Sequence, residues 1–125
     1  MSPGDTKAII AIRWERLRQR ADEDFSDYRD DQYVHGELAS AAACYAAPPR
    51  FREAFTRLLA VWPWSPSKWK PTPHDRVREL VKAGALIVAE IERLQRAESA
   101  RAEGNCHAKS DTAPVGEDGR RERTF

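Results

Sequence analysis

Apolar residues return every three or four positions through 75–96. Val77, Leu80, Val81, Gly84, Ile87, Val88, Ile91 and Leu94 form one broad stripe, which predicts a helix around which the chain is organised. Leu86 lies roughly opposite that stripe, between Lys82 and Glu90, so partners are expected on two sides of the helix. Asp75, after Pro73, suits its N-cap or first turn, and Arg93 and Arg96 suit the negative end of its dipole. Gly84 inside the helix costs about 1 kcal/mol against Ala. The expected compensation is close approach of another helix.

The same periodicity places three more helical segments. The first starts near Asp5 or Thr6 and runs to about Glu23, with Ile10, Trp14, Leu17 and Ala21 as the expected buried face. Glu15, Arg18, Gln19 and Asp22 gather on another face. Residues 24–35 are polar and aromatic without a clean period and read as an ordered loop with room for one helical turn. A second helix is predicted over 36–47, ended by Pro48-Pro49, with a face of Leu38, Ala41, Ala42 and Tyr45. Its small residues admit a close neighbour and suit a homo-oligomeric contact. Phe51, Phe55, Leu58, Leu59 and Trp62 predict a third, short helix over 51–62.

Between this segment and the last helix runs a connector in which Trp62, Trp64 and Trp69 alternate with Pro63, Pro66, Pro71 and Pro73. Proline holds it extended and the indoles are expected to fold back on the bundle as a rigid lid. The expected fold is all-α: a small bundle of three to four helices in one domain over 1–98. Residues 99–125 lose their apolar positions and are expected to be a disordered polar tail.

Bulk properties narrow the function classes. The chain has 125 residues, 33% of them charged, a formal net charge of +1 and a mean hydropathy of -0.72. A near-neutral balance removes the general electrostatic case for nucleic-acid binding. No apolar run approaches a membrane span and residues 1–7 form no signal-like apolar region, so no membrane contact and a cytoplasmic location are expected. Cys44 lies in an alanine-rich stretch and Cys106 in the polar tail, which reads as reduced thiols; two Cys and three scattered His do not supply a zinc site.

Two constellations carry possible chemistry. One is acidic, with Glu15 on helix 1, Asp30 and Asp31 in the loop, Glu37 opening helix 2, and Glu79 and Glu90 on the last helix. Carboxylates from facing helices can converge on Mg²⁺, although such residues more often serve solvated faces and local ion pairs. The other is the Trp cluster with Lys68 and Lys70. Trp69 there is a candidate to stack a base. A hydrophobic plug is the favoured reading, and a partner-binding patch the remaining one.

Taken in order, ERLRQ on helix 1, the acidic and aromatic loop, GELASAA opening helix 2 and ELVKAGALIVAEIERL on the last helix resemble the MazG-like all-α nucleoside triphosphate pyrophosphohydrolases. The resemblance covers roughly 9–96. The chain is also similar to a group of phage and prophage proteins sharing the HGELA, WPW and KAGALI stretches, a likeness that brings no activity with it. In the MazG-like family, ExxE and ExxD pairs hold Mg²⁺, which holds the triphosphate while water attacks a phosphorus. The resemblance maps the first carboxylates of these pairs onto Glu37 and Glu79, and the second onto Ser40 and Lys82. It implies Glu37 and Glu79 as Mg²⁺ ligands; Asp31 or Glu15 is the candidate to complete the shell, and Lys82, Glu15, Gln19 and Trp69 are the candidates around a nucleotide or phosphate-bearing small molecule. Lys82 is a candidate to neutralise phosphate charge in place of a missing metal ligand. A Lys82 salt bridge to Glu79 or Glu37 is the structural alternative. The expectation is therefore a nucleotide-binding phage-type helical protein, with or without slow hydrolysis. The other class is a non-catalytic protein-interaction module acting through the Trp-rich connector.

Overall fold

A computed structural model describes residues 4–22, 27–52 and 61–104. Four α-helices, and no strand, occur among them: α1 (Lys7–Asp22), α2 (Asp27–Asp30), α3 (Glu37–Ala46) and α4 (Arg76–Gly104). The all-α bundle read from the periodicity is the observed class. α4 is its hub, with α3 and α1 both packed on it and α2 touching it more lightly.

Local chemistry explains the helix ends. The Thr6 hydroxyl accepts the Ile9 N–H, and the Asp75 carboxylate accepts the Arg78 N–H, so each satisfies an orphan donor of the first turn. Gly36 enters α3 at φ 84°, a left-handed conformation that glycine adopts without steric cost. Proline follows Ala47 and stops the helix. Pro49–Phe51 and Pro66–Lys68 are single 3₁₀ turns that redirect the chain.

The core lies between α3, α4 and the connector. Leu38, Ala41, Ala42 and Tyr45 of α3 face Ala83, Leu86 and Ala89 of α4, all buried. Small side chains on both helices let the backbones come close, and the indoles fill the space beside them. Trp62 and Trp64 are buried edge-to-face at 5.4 Å; Trp69 stacks at a tilt on Tyr45 at 4.6 Å, and Tyr33 closes on Trp64 at 5.4 Å. The Lys70 N–H donates to the Tyr45 hydroxyl at 3.1 Å, and the Trp62 indole N–H to the Ser65 carbonyl at 3.0 Å. The connector is thus the plug of the core. Trp62 and Trp64 present no free surface for a protein partner.

Four expectations need correction. Most of the α4 stripe does not face the core: Val77 is 71% exposed and Leu80, Ile87, Ile91 and Leu94 are about half exposed, while Val81, Gly84 and Val88 are half-buried and Leu86 on the opposite face is fully buried. On α1 the expected inner face also points outward, with Trp14 59% exposed and Leu17 and Ala21 exposed; Ile12, Glu15, Arg16 and Gln19 turn inward instead. Periodicity reveals that a helix has an apolar face but not whether its own chain covers it. α4 continues six residues past the expected boundary, through 99–104, so Arg93 and Arg96 are mid-helix residues paired with Glu90 and Asp31. The alanine face of α3 is consumed within the chain and is not available to another copy. Of the segment expected to be helical over 51–62, which is mostly outside the described residues, Phe51 closes a 3₁₀ turn, Arg52 is helical, and Val61 and Trp62 are not. Its residues Phe55, Leu58 and Leu59, and the tail beyond Gly104, lie outside the described residues.

Gly84 meets its expectation. A Cβ there would lie 2.7 Å from Cδ1 of Ile12, so α1 crosses α4 at this position. The two flanks of α1 then reach opposite ends of α4. Glu15 on one flank meets Arg78, and Arg16 on the other meets Glu92.

Candidate functional site

The acidic candidates fall into two groups instead of one. Glu15 and Gln19 form one network with Arg18 and Arg78, Glu79 forms another with Arg52 and Arg76, and Lys82 lies near both; Asp31 and Glu37 lie elsewhere.

Glu79 is fully buried and both of its oxygens are engaged. Oε2 accepts from Arg52 at 2.6 Å and from the Thr72 N–H at 2.8 Å, and Oε1 accepts from Arg76 at 3.1 Å. Burial pushes this carboxyl up, but the arginine and backbone donors outweigh it and hold it below the ordinary range. Arg52 and Arg76 also donate to the Tyr45 carbonyl, and Arg76 to that of Ala46, the orphan acceptors at the negative end of α3. Glu79 therefore fastens the connector and the start of α4 to the end of α3.

Glu15 is the second buried carboxylate. Its Oε1 accepts from Arg18 at 3.0 Å and Arg78 at 2.7 Å, and its Oε2 from Arg18 at 3.0 Å and Gln19 at 2.9 Å. Burial again acts upward on its pKa, and the donors from Arg18, Gln19 and Arg78 win. Gln19 is fully buried, and its Oε1 has no hydrogen-bond partner among the described residues.

Lys82 stands between these networks and pairs with neither. It is only 4% exposed, and its ammonium donates to the Lys70 carbonyl at 3.1 Å and sits 5.4 Å from the centre of the Tyr45 ring. No carboxylate among the described residues lies within ion-pair distance of it. The expected salt bridge to Glu79 or Glu37 is absent because arginines, with more donors and a planar fork, hold Glu79. Burial lowers the Lys82 pKa, Arg78 and Arg18 lower it further, and Glu15 and Glu79 act against them.

Arg78, Glu15 and Arg18 open on a groove of about 490 Å³ between α1 and the beginning of α4, where Trp14, Val77 and Val81 supply an apolar wall. The arrangement offers two guanidiniums beside an exposed indole, with a buried ammonium close enough to feel both. No protein family model, curated protein or solved structure matches this chain.

The remaining sequence candidates have local work. Glu37 accepts the His35 N–H at 2.8 Å and so braces the turn into α3. Asp31 pairs with Arg96 at 2.8 Å on the surface. Trp69 is half-buried in the plug, with Arg52 over its ring at 5.4 Å. Buried Asp30 lies 3.3 Å from Arg16, which also holds Glu92 at 2.9 Å, and this set anchors α1 and α2 to α4. Among the described residues no three His, Cys, Asp or Glu are grouped to hold a metal. The donor chemistry at Glu15 and Glu79 agrees, since a Mg²⁺ ion would have to displace arginines from carboxylates that have no vacant oxygen.

Arg78 and Trp14 were not singled out from the sequence as ligand contacts. The Glu15–Arg18 spacing of three was readable as a helical pair. The link from Glu15 to Arg78, across 63 residues, had no local signal.

Proposed function

We propose that this chain binds a nucleotide, or a nucleotide-like organic phosphate, in the groove between α1 and the first turns of α4. The observation that carries the reading is the groove itself, with Arg18 and Arg78 beside an exposed tryptophan wall and, near enough to act on both arginines, the buried Lys82 ammonium, which has no carboxylate partner among the described residues. Arg18 and Arg78 meet phosphate oxygens, since guanidinium geometry suits bidentate contact. Trp14 stacks the base. Lys82 contributes its field from beneath, strengthened by its low-dielectric surroundings. The resemblance to MazG-like enzymes, which rests on sequence order alone, favours nucleotides as the class. Glu15 and Glu79 serve as anchors for arginines in this reading, so binding proceeds without Mg²⁺ and no hydrolytic step is assigned.

Thermal unfolding of the full chain, in chelator, against a nucleoside triphosphate and against inorganic triphosphate tests the proposal. The Tm is expected to rise with the logarithm of ligand concentration, reaching roughly 2.7 kcal/mol of added stability at a hundred times Kd. Arg78→Met and Lys82→Met are expected to remove the response. Lys82→Met alone is expected to keep or raise the Tm, because a buried charge with a single acceptor costs stability. A parent protein that responds to neither ligand, with or without Mg²⁺, refutes the reading. A Lys82→Met protein that unfolds makes Lys82 a structural residue and removes it from the reading.

A further inference from the structure

The corrected position of the α4 stripe is itself informative. Val77, Leu80, Gly84, Ile87, Ile91 and Leu94 follow spacings of three and four in strict alternation, the a and d positions of a coiled-coil seam. Their opposite face, with Glu79, Ala83, Leu86 and Ala89, is already covered by α3 and the connector. α4 thus has two inward-type faces, and the described residues cover one of them in full. The seam runs about 26 Å along the helix at 1.5 Å per residue, with Ile12 of α1 packed at its Gly84 position. Five aliphatic side chains stand on it, none fewer than 46% exposed, and no charged residue interrupts it.

We infer that a second copy of this chain covers the seam, α4 against α4 about a two-fold axis. A seam of this spacing is complementary to itself, which is what an isologous contact requires. Its area fits as well. The five side chains expose roughly 500 Å² per copy, so complete pairing buries up to roughly 1,000 Å² in all, the lower bound of a specific protein interface. Among the described residues α1 meets the seam at Gly84 and flanks Val77 across the groove, and α3 lies on the far face, so Leu80, Ile87, Ile91 and Leu94 are the seam residues left exposed away from that groove. Val77 belongs to both the seam and the groove, but Leu80, Ile87, Ile91 and Leu94 do not line the groove, so substitutions at Ile87 and Ile91 separate this inference from the ligand reading.

Sedimentation equilibrium of the full chain over a range of micromolar concentrations tests it. The expected mass is twice the 14.2 kDa of one chain. Ile87→Glu with Ile91→Glu places carboxylates in the seam and is expected to weaken association at least about a hundred-fold. The variant should keep its helical circular dichroism and its response to nucleotide, if the parent has one. Should the variant fail to fold, protection of the Ile87–Ile91 side chains from hydroxyl-radical oxidation in the parent decides the matter, with protection rising at higher protein concentration. A parent of 14.2 kDa throughout the range overturns the inference. So does a dimer that the double substitution leaves intact, or a particle larger than two copies.

Discussion

Gly84→Ala is the most informative single change in the fold, because two opposing effects act at one atom. Alanine stabilises a helix interior by about 1 kcal/mol relative to glycine. The added methyl would lie 2.7 Å from Cδ1 and 3.0 Å from Cγ1 of Ile12, closer than carbon atoms tolerate. Relief requires Ile12 to leave its rotamer or α1 to lift from α4, an overpacking cost of about 1–3 kcal/mol. The net expectation is a loss of up to about 2 kcal/mol. In an Ile12→Ala background all three atoms nearest the new methyl are gone, so Gly84→Ala should be stabilising by about 1 kcal/mol. The double-mutant cycle, read by urea denaturation at one fixed protein concentration, should therefore show a coupling of at least about 1 kcal/mol. Additive effects within a few tenths of a kcal/mol would mean that α1 does not cross at Gly84, and the groove beside that crossing would lose its geometry.

Three further outcomes follow from the buried charges and the exposed indole. Glu79→Gln should cost about 3 kcal/mol, since it leaves Arg52 and Arg76 without their buried partner. The Glu79 pKa is lowered on folding, so its contribution is present above the unfolded value of about 4.3 and disappears as pH falls through the folded one. The acid limb of the stability curve should be shallower in Glu79→Gln than in the parent. Lys82 behaves in the opposite sense: its lowered pKa means the unfolded chain holds more protons, so stability should rise with pH from the folded value towards about 10.4, and Lys82→Met should lack that rise. Trp14→Ala should change stability by no more than about 0.5 kcal/mol because the indole is solvent-exposed. A loss of about 3–5 kcal/mol by chemical denaturation would instead restore the buried position read from the sequence.

The helices themselves were legible without tertiary information. The 3.6-residue period of α4, the hydroxyl of Thr6, the carboxylate of Asp75, Gly36 before α3 and the prolines after it are local signals acting within a few residues. The Trp-Pro connector was also readable as a plug, since indoles held extended beside an apolar helix have one favourable place to go. Gly84 announced a close crossing because a glycine in a helix interior costs stability that only packing returns.

Which face of each helix the chain would cover was not written locally. α4 carries a seam of six residues and, opposite it, Leu86 among alanines; the small faces of α3 and α4 allow closer backbone approach, so Leu86 and not the seam entered the core. On α1 the inward face is Ile12, Glu15, Arg16 and Gln19, a choice made by Arg78, Asp30 and Glu92 from distant parts of the chain. The same holds for the site. Lys82 and Glu15 were visible as charged residues, but the partner of each carboxylate was decided only when folding brought Arg52, Arg76 and Arg78 within reach. An ion pair between residues far apart in sequence leaves no periodicity behind, and so only the tertiary structure could show that buried Lys82 has no carboxylate within ion-pair distance among the described residues.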